Sequence, residues 1–599
     1  MKKALYISAI AFMLAGGMLS SCSDFLEADN KTTGNKEADD ALTATDVLYS
    51  AYNSLYSVTT EVALNEEGTD LYIPVRGKTA SAFDQYTLNA ENSDVYSYWK
   101  NLYTMVNFAN GVLYYNTESS SGYNARYSAE AKFIRCYGFY LLTQQFGSVP
   151  YVTEYVDEAK PGYPRVDVST IYDGCIAELT EVYNSNVLAT VATRGANVAS
   201  PTNEAVALLI SKFYLAKGWD VDVTATGKDV APISGNENFT NAAEWAEKAI
   251  NGKELSLTFA EKWSPFKDNN VESFWAIQPD RTNSVGAHSL QNDYGNYYGE
   301  CTATGYKNVG STHAQSQKSL YLFAKGDERY EATFATTILN KGNDGWGVTG
   351  YYAMYNNKNW KKVGYRYFPY YVTEAEAEAT FDADLYSSSA ADGHNENVQA
   401  FILGNPQGGA ACTAYTFDAS GTVSTKTSGK SYSDLNVQVA GGVCVKKFDD
   451  AASTMVTRND DYRAINIFDL SDAYLTAAEA YYMAGEEAEA LAKVNAVRER
   501  AYGSQDGNLA DFSEASYKNF YIYDAPEGGF KAIDIILDER ARELYAERTR
   551  WIDLRRTKQL ARYNAAYNPN LVSTVKTLRP IPANEISANS SISDQNPGY

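Results

Sequence analysis

Histidine, cysteine and long apolar runs are scarce in this chain. Three histidines in 599 residues leave no material for a His-rich metal centre. His288, His313 and His394 each lack the partner of an HExxH pair. Six cysteines include no CxxC, and after Cys22 the closest two, Cys412 and Cys444, lie 32 residues apart. That spacing excludes a zinc ribbon and a dense disulfide framework. Cys136, Cys175, Cys301, Cys412 and Cys444 are therefore expected as buried thiols. No apolar stretch reaches the roughly 20 residues of a membrane helix. Basic charge is also short: 51 Lys and Arg face 74 Asp and Glu, a formal charge of −23. A phosphate-backbone binder needs a clustered basic surface, so nucleic acid is not an expected partner. No GxSxG elbow, Walker loop or complete DxDxDG calcium loop occurs. Gly345-Trp-Gly-Val-Thr-Gly350 fits GxGxxG, but polar residues precede it and tyrosines follow. A dinucleotide site needs a strand before and a helix after, so an aromatic loop is expected there.

What is present is a globular composition, 45% hydrophobic and 21% charged. Tyrosine dominates the aromatics, 49 against 23 Phe and 8 Trp. An apolar ring with a polar tip suits half-wet binding surfaces as well as cores. Length alone suggests about four domains. The paired helices and the loop-rich middle described below read instead as one continuous assembly.

The amino terminus has its own pattern. Lys2 and Lys3 precede a mostly apolar run, Ala4 to Met18, and then Leu19-Ser-Ser-Cys22. A basic start, a short apolar run and small residues before a cut form an export signal. Leu-Ser-Ser-Cys resembles the bacterial lipobox, which makes Cys22 the expected lipidated first residue of the mature chain. Loss of Lys2 and Lys3 takes the charge to −25. The polar, acidic segment 22–42 reads as a tether.

Helical periodicity marks both ends of the chain. Val47, Leu48, Ala51, Leu55 and Val58 make one stripe. Trp99 to Leu113 and Ala131 to Phe146 make two more, the latter stopped by Gly147 and Pro150. Glu204–Lys217 is expected to close on Gly218 as a left-handed C′ residue. The next helix is expected to start at Asn241, with Glu244 completing a capping box, and to end at Gly252. Leu470–Ala484 and Glu486–Ala501 turn at Gly485. Their inward faces read Ala473, Ala477 and Tyr481, then Ala488, Leu491, Ala492 and Val497. These are tetratricopeptide-like pairs without a strict 34-residue period. Ile533 to Ala561 reads as one long helical region, and the tail from Leu578 as a surface loop. From about 255 to 460, Gly, Asn, Ser, Thr and Tyr are frequent. Short alternating runs such as Gly442 to Phe448 suggest a few strands. The fold class is therefore mainly α: a helix-pair scaffold (43–254 and 461–599) carrying a loop-rich, partly β subdomain (255–460). Loops on a rigid scaffold are where ligand residues tend to sit.

Two clusters stand out. Leu537 to Arg556 carries six Arg and five acidic residues. Glu539, Glu543 and Glu547, four apart, would repel unless cations face them. Arg540, Arg542, Arg550 or an arginine elsewhere, such as Arg135, are the expected partners. Glu539, Arg540, Glu543, Glu547, Arg550 and Asp553 are thus assigned to a structural ion-pair network. The second cluster is aromatic and polar. A sugar offers an apolar C–H face and a hydroxyl rim, which a flat ring beside Asn, Asp, Gln or Arg matches. Tyr96, Tyr98 and Trp99, with Arg281, Asn283, Tyr294, Tyr297 and Tyr298, are the candidate ligand residues.

Several blocks resemble the SusD/RagB family of Bacteroidota outer-membrane lipoproteins. Ala129 to Pro150 is similar to the family helix ending Phe-Gly-x-Val-Pro, with Cys136 where Ala is usual. Ala207–Gly218, Tyr474–Ala480 with Ala490–Ala501, and Glu539–Arg556 resemble its later helices. Within the last, Arg548 stands where the family commonly has Gly. Leu578-Arg-Pro-Ile-Pro582 and Gln595-Asn-Pro-Gly-Tyr599 resemble its closing motifs. The resemblance implies a surface-exposed, lipid-anchored, non-catalytic protein. It would act as a lid on a SusC-type TonB-dependent transporter and deliver oligosaccharide to it. Peptide cargo in the same role, or a surface glycan hydrolase built on two carboxylates, are the alternatives. No cofactor is expected, and a structural calcium ion is left open.

Overall fold

In a computed structural model the described residues run from 43 to 599. Outside them lie 75–80, 223–235, 295–312, 340–362, 382–398, 403–411, 431–443, 451–460, 521–524 and a few short stretches that include 281 and 284. The chain divides into two compact units. The first holds residues up to Glu61, Leu88–Ala189 and Lys576–Tyr599; the second holds Val62–Thr87 and Thr190–Val575. Among the described residues no helix is long and apolar enough to cross a membrane.

The first unit is built on four long helices packed in sequence: α1 (Ala44–Thr59), α2 (Ser93–Tyr115), α3 (Ala125–Phe146) and α4 (Val168–Ser185). Each opens on a side chain that accepts an N-terminal amide hydrogen: Thr43, Asn92, Asn124 and Asp167. In α1 the buried face is the predicted Val47, Leu48, Ala51, Leu55 and Val58. α3 stops at Gly147, whose φ of +72° suits glycine. A Cβ there would also sit 2.9 Å from Leu578. The tail is no surface loop. Arg579 donates its N–H to Gln145 O at 2.8 Å, Asn596 donates to Phe146 O at 2.8 Å, and Ile581 is fully buried. Polar residues made the tail read as exposed. They are instead spent on tying its backbone down.

After the segment Val62–Thr87, the second unit continues with α5 (Asn203–Lys217) and α6 (Glu237–Ile250), packed together. Two expectations fail here. Gly218 is right-handed, with φ −56° and ψ −47°, and the chain winds on as a π-turn through Asp222. Its glycine is needed for space, since a Cβ would lie 2.6 Å from the Phe239 ring. And α6 is capped by Asn236, one turn before Asn241, because Phe239 belongs to its buried face.

Strand β1 (Ser273–Ile277) follows. Strands β2 (Thr337–Leu339), β3 (Val363–Phe368), β4 (Gln399–Ile402), β5 (Cys412–Phe417) and β6 (Val423–Lys430) form a five-stranded sheet in the order β6-β5-β4-β3-β2. Only the β3–β4 pairing in it is parallel. β7 (Ile465–Asp469) returns antiparallel to β1, with Ile465 opposite Ile277, and runs straight into α7 (Leu470–Ala484). Gly485, at φ +88°, turns the chain into α8 (Glu487–Tyr502). The α7 face is as predicted at Ala473 and Ala477. On α8 the buried apolar residues are Ala490, Val494, Val497 and Ala501, while Ala488 and Ala492 are exposed. Alternating alanines carry no phase, so Val494 sets the face.

The long carboxy-terminal helix is broken into α9 (Ala532–Glu543), α10 (Arg550–Arg556) and α11 (Leu560–Tyr567). Ala546 and Arg548 take φ of +65° and +61° in the break. Buried partners hold it open. Tyr72 Oη accepts the Ala546 N–H at 2.6 Å, and Glu66 accepts the Arg548 N–H at 2.7 Å. The Lys447 ammonium donates to Glu543 O and Tyr545 O, carbonyls that the helix end leaves without partners. Arg548 thus takes the left-handed conformation for which glycine is the usual residue.

Candidate ligand-binding site

The assigned ion-pair residues lie in the second unit, all buried except the half-buried Glu547. Glu539 faces Arg329 at 2.7 Å and Arg498 at 2.8 Å. Glu543 faces Arg500, Lys262 and Arg329. Arg540 bridges Asp553 at 2.8 Å and Asp472 at 3.1 Å, and Arg550 holds Asp70. Burial alone would raise these carboxyls. The facing guanidiniums outweigh it and bring Glu539 and Asp553 down to about 2. Glu547 differs: burial dominates and lifts it to about 6 despite Lys447 at 3.1 Å. Arg135 serves the other unit, where its partner is Glu178. This array fixes α8, α9 and α10 geometrically and presents no charge to a ligand.

The candidate ligand residues scatter. Trp99 is fully buried against Phe146 and Tyr103, with centroids 4.9 and 5.0 Å away, and Tyr98 is 2% exposed. Both belong to the helix core, so they offer no ring face. Tyr96 is half-buried on the same helix. Tyr294 is also fully buried, stacked on Phe448 at 5.7 Å and donating to Glu66 at 3.4 Å. Its loop-like sequence hides a packing role, because its partners come from distant segments. Arg281, Tyr297 and Tyr298 lie outside the described residues, as do Cys22 and the Gly345–Gly350 string. Asn283 is exposed in a hairpin closed by the Asp280–Val285 bridge, where it donates to Asp280 at 2.6 Å. Cys136, Cys175 and Cys412 are buried free thiols. Among the described residues no group of His, Cys, Asp or Glu is placed to hold a metal ion.

Just before that hairpin the second unit has an open cleft of about 590 Å³. The loop 265–271 forms one wall, and Gln278, Pro279, Tyr462 and Ala464 form the other. The ends of β1 and β7 place the second wall. The loop is pinned from below. Arg463 donates to Asp268 at 2.7 Å and to Trp263 O at 3.0 Å, and the Ala464 N–H donates to Asp268 at 3.1 Å. Asn270 accepts the Glu272 N–H and donates to Lys262 O. His288 and Asp461 exchange backbone hydrogen bonds and tie the hairpin to the Tyr462 segment. Burial pushes the His288 imidazole down to about 4, so the ring is neutral at physiological pH.

The pinned loop leaves Phe266 65% exposed and Val271 59% exposed. Asn269 and Gln278 are exposed as well. Both charges at the rim are matched, Lys267 by Glu261 and Asp268 by Arg463. The cleft therefore offers an aromatic face and neutral amides to a ligand rich in C–H faces and hydroxyls. The sequence signal was a lone Phe between Pro265 and Lys267-Asp-Asn-Asn270, an apolar residue in a polar loop.

The scaffold is thus one of helix pairs with small sheets, and it carries an open cleft whose rim charges are paired. The SusD family profile matches residues 242–599, and a second profile, described as starch-binding associating with outer membrane, matches residues 24–215. The chain belongs to the SusD family. A SusD-like protein P2 of Formosa agariphila is 23% identical over 98% of this chain and 99% of its own length. A SusD homologue from Bacteroides thetaiotaomicron superposes with a TM-score of 0.62 at 18% identity, covering 95% of this chain and all of that one. Surface glycan-binding protein A from the same organism, solved with laminarihexaose, gives 0.60 at 16% identity over 92% and 98%.

Proposed function

We propose that this protein captures oligosaccharide at the cell surface and delivers it, without cleaving it, to a SusC-like TonB-dependent transporter in the outer membrane. The observation that carries the reading is the Phe266 cleft, with its rim charges paired, in a chain of this family. An aromatic face with neutral amides suits a neutral glycan better than a charged peptide. The glycan-binding neighbours support the class of ligand, and the outer-membrane profile supports the location. Cys22 is the lipid anchor in this reading, and 22–42 is the tether. Arg281, Asn283, Tyr297 and Tyr298 follow Gln278 in sequence and complete the ligand residues.

The test is calorimetric titration of the mature chain with laminarin, soluble starch, other plant, host and microbial glycans, and a peptide pool. Saturable glycan binding without product formation is expected, weakened by Phe266→Ala and by Tyr297→Ala/Tyr298→Ala. Binding confined to peptides would change the cargo. Sugar release lost on changing one carboxylate would make the protein a hydrolase. Cys22→Ser is expected to move the protein from the membrane to the soluble fraction.

A further inference from the structure

The first unit carries an aromatic surface of its own, which the cleft does not use. The last turn of α2 supplies Tyr114 and Tyr115, whose rings meet edge to face with centroids 5.0 Å apart. Tyr155 completes a triangle, 5.5 Å from Tyr114 and 5.8 Å from Tyr115. Tyr114 is 61% exposed, and the other two rings are half-buried.

The triangle is held in place by buried groups. Tyr155 lies on Gly111, where a Cβ would come within 3.1 Å of two ring atoms. Asn110, itself 2% exposed, donates to Val152 O at 3.0 Å and Glu154 O at 2.8 Å. Asn107 donates to Val156 O and accepts the Val156 N–H. Arg135 donates to Thr153 O at 3.0 Å and to Asn110 Oδ1 at 2.8 Å, with its other end on Glu178. Two buried side chains, Asn110 and Arg135, and the half-buried Asn107 thus tie down the backbone of Val152, Thr153, Glu154 and Val156 on either side of Tyr155. A surface ordered before binding loses little entropy when a ligand arrives. Such order is more than an incidental surface tyrosine requires.

The acidic residue next to Tyr155 is paired. Glu154 accepts from Lys160 at 2.9 Å and from Tyr163 Oη at 2.7 Å. At the outer corner of the triangle the Tyr114 ring stays largely exposed. We propose that Tyr114, Tyr115 and Tyr155 form a second saccharide platform, which stacks against the C–H faces of a neutral glycan chain. The inference rests on the glycan-binding reading above but assigns a separate surface. Two platforms on one chain would favour polymer over short oligosaccharide, because linked sites gain by effective concentration.

The experiment compares wild type, Tyr114→Ala/Tyr155→Ala, the ring-preserving Tyr114→Phe, and Phe266→Ala. Affinity electrophoresis in laminarin and in soluble starch is run beside calorimetry with laminarihexaose, and circular dichroism confirms folding. The double variant is expected to lose about tenfold in affinity for whichever polymer wild type binds, a change of about 1.4 kcal/mol. Tyr114→Phe is expected to keep wild-type affinity. A double variant that binds polymer like wild type overturns the platform while leaving the cleft reading intact. The same result with lost assembly on a barrel transporter would make the surface a protein interface, and it also overturns the platform. A wild type that retains neither polymer and binds no glycan of the wider panel overturns both readings.

Discussion

Arg550 grips Asp70 with two parallel hydrogen bonds, Nε to Oδ1 and Nη2 to Oδ2, each 2.7 Å, across 480 residues of sequence. Lys318 donates to the same carboxylate at 2.8 Å and to Asp538 at 3.0 Å. All these side chains are buried. Burial would raise Asp70, but Arg550 and Lys318 hold it well below the usual carboxylate range. Asp70→Asn would leave two cations buried with one acceptor fewer. Breaking such a pair costs about 3–5 kcal/mol. A fall of that size in unfolding free energy is expected by urea titration. A loss under about 1 kcal/mol would mean that water reaches the pair.

Gly218 gives a prediction of opposite character, since local propensity and packing disagree there. Alanine is favoured over glycine in a helix by about 1 kcal/mol. Yet the added Cβ would fall 2.6 Å from a Phe239 ring that is itself fully buried. Overpacking of this kind costs about 1–3 kcal/mol. Gly218→Ala is expected to lower the thermal midpoint, and Gly218→Ala with Phe239→Leu to recover part of the loss. Stabilisation by the single change would show that the ring moves freely.

The scaffold was legible where one face of a helix carries branched or aromatic residues. Val47, Leu48, Leu55 and Val58 report both the helix and its buried side. Legibility fell where alanine fills both faces, as at Ala488, Ala490 and Ala492. It failed at the break between α9 and α10, because neither Gly nor Pro marks Ala546 or Arg548. The break is imposed by Tyr72, Glu66 and Lys447, which lie hundreds of residues from it or in another element. The same reason undid the aromatic assignments. Trp99 and Tyr294 have the chemistry of a sugar platform, but tertiary contacts put them inside. The cleft joins residues 265–271 to residues 462–464, a proximity no local pattern encodes. The tyrosine triangle was missed because Tyr114 falls off the stripe that defined its helix.

Glu66 sets the pH dependence that should be easiest to see. Its Oε1 accepts the Arg548 N–H at 2.7 Å and the Tyr294 hydroxyl at 3.4 Å. Burial outweighs the Arg548 charge and lifts the carboxyl to about 8, so it is protonated at neutral pH. A folded-state value above the unfolded one contributes stability below about 4.5, which is lost as pH rises toward about 8. Glu539 and Asp553 act in the other direction. Held at about 2, they contribute above about 4, and that part is lost as pH falls through 4 to 2. The contribution of these three groups should therefore peak near about pH 4 to 5 and decline on both sides. Glu66→Gln keeps the hydrogen-bonding oxygen and cannot ionise. It is expected to match wild type near pH 5 and to exceed it at pH 8, by on the order of 3–4 kcal/mol. Parallel unfolding curves at pH 5 and 8 measure this directly, and an equal offset at both would place the Glu66 carboxylate in contact with solvent.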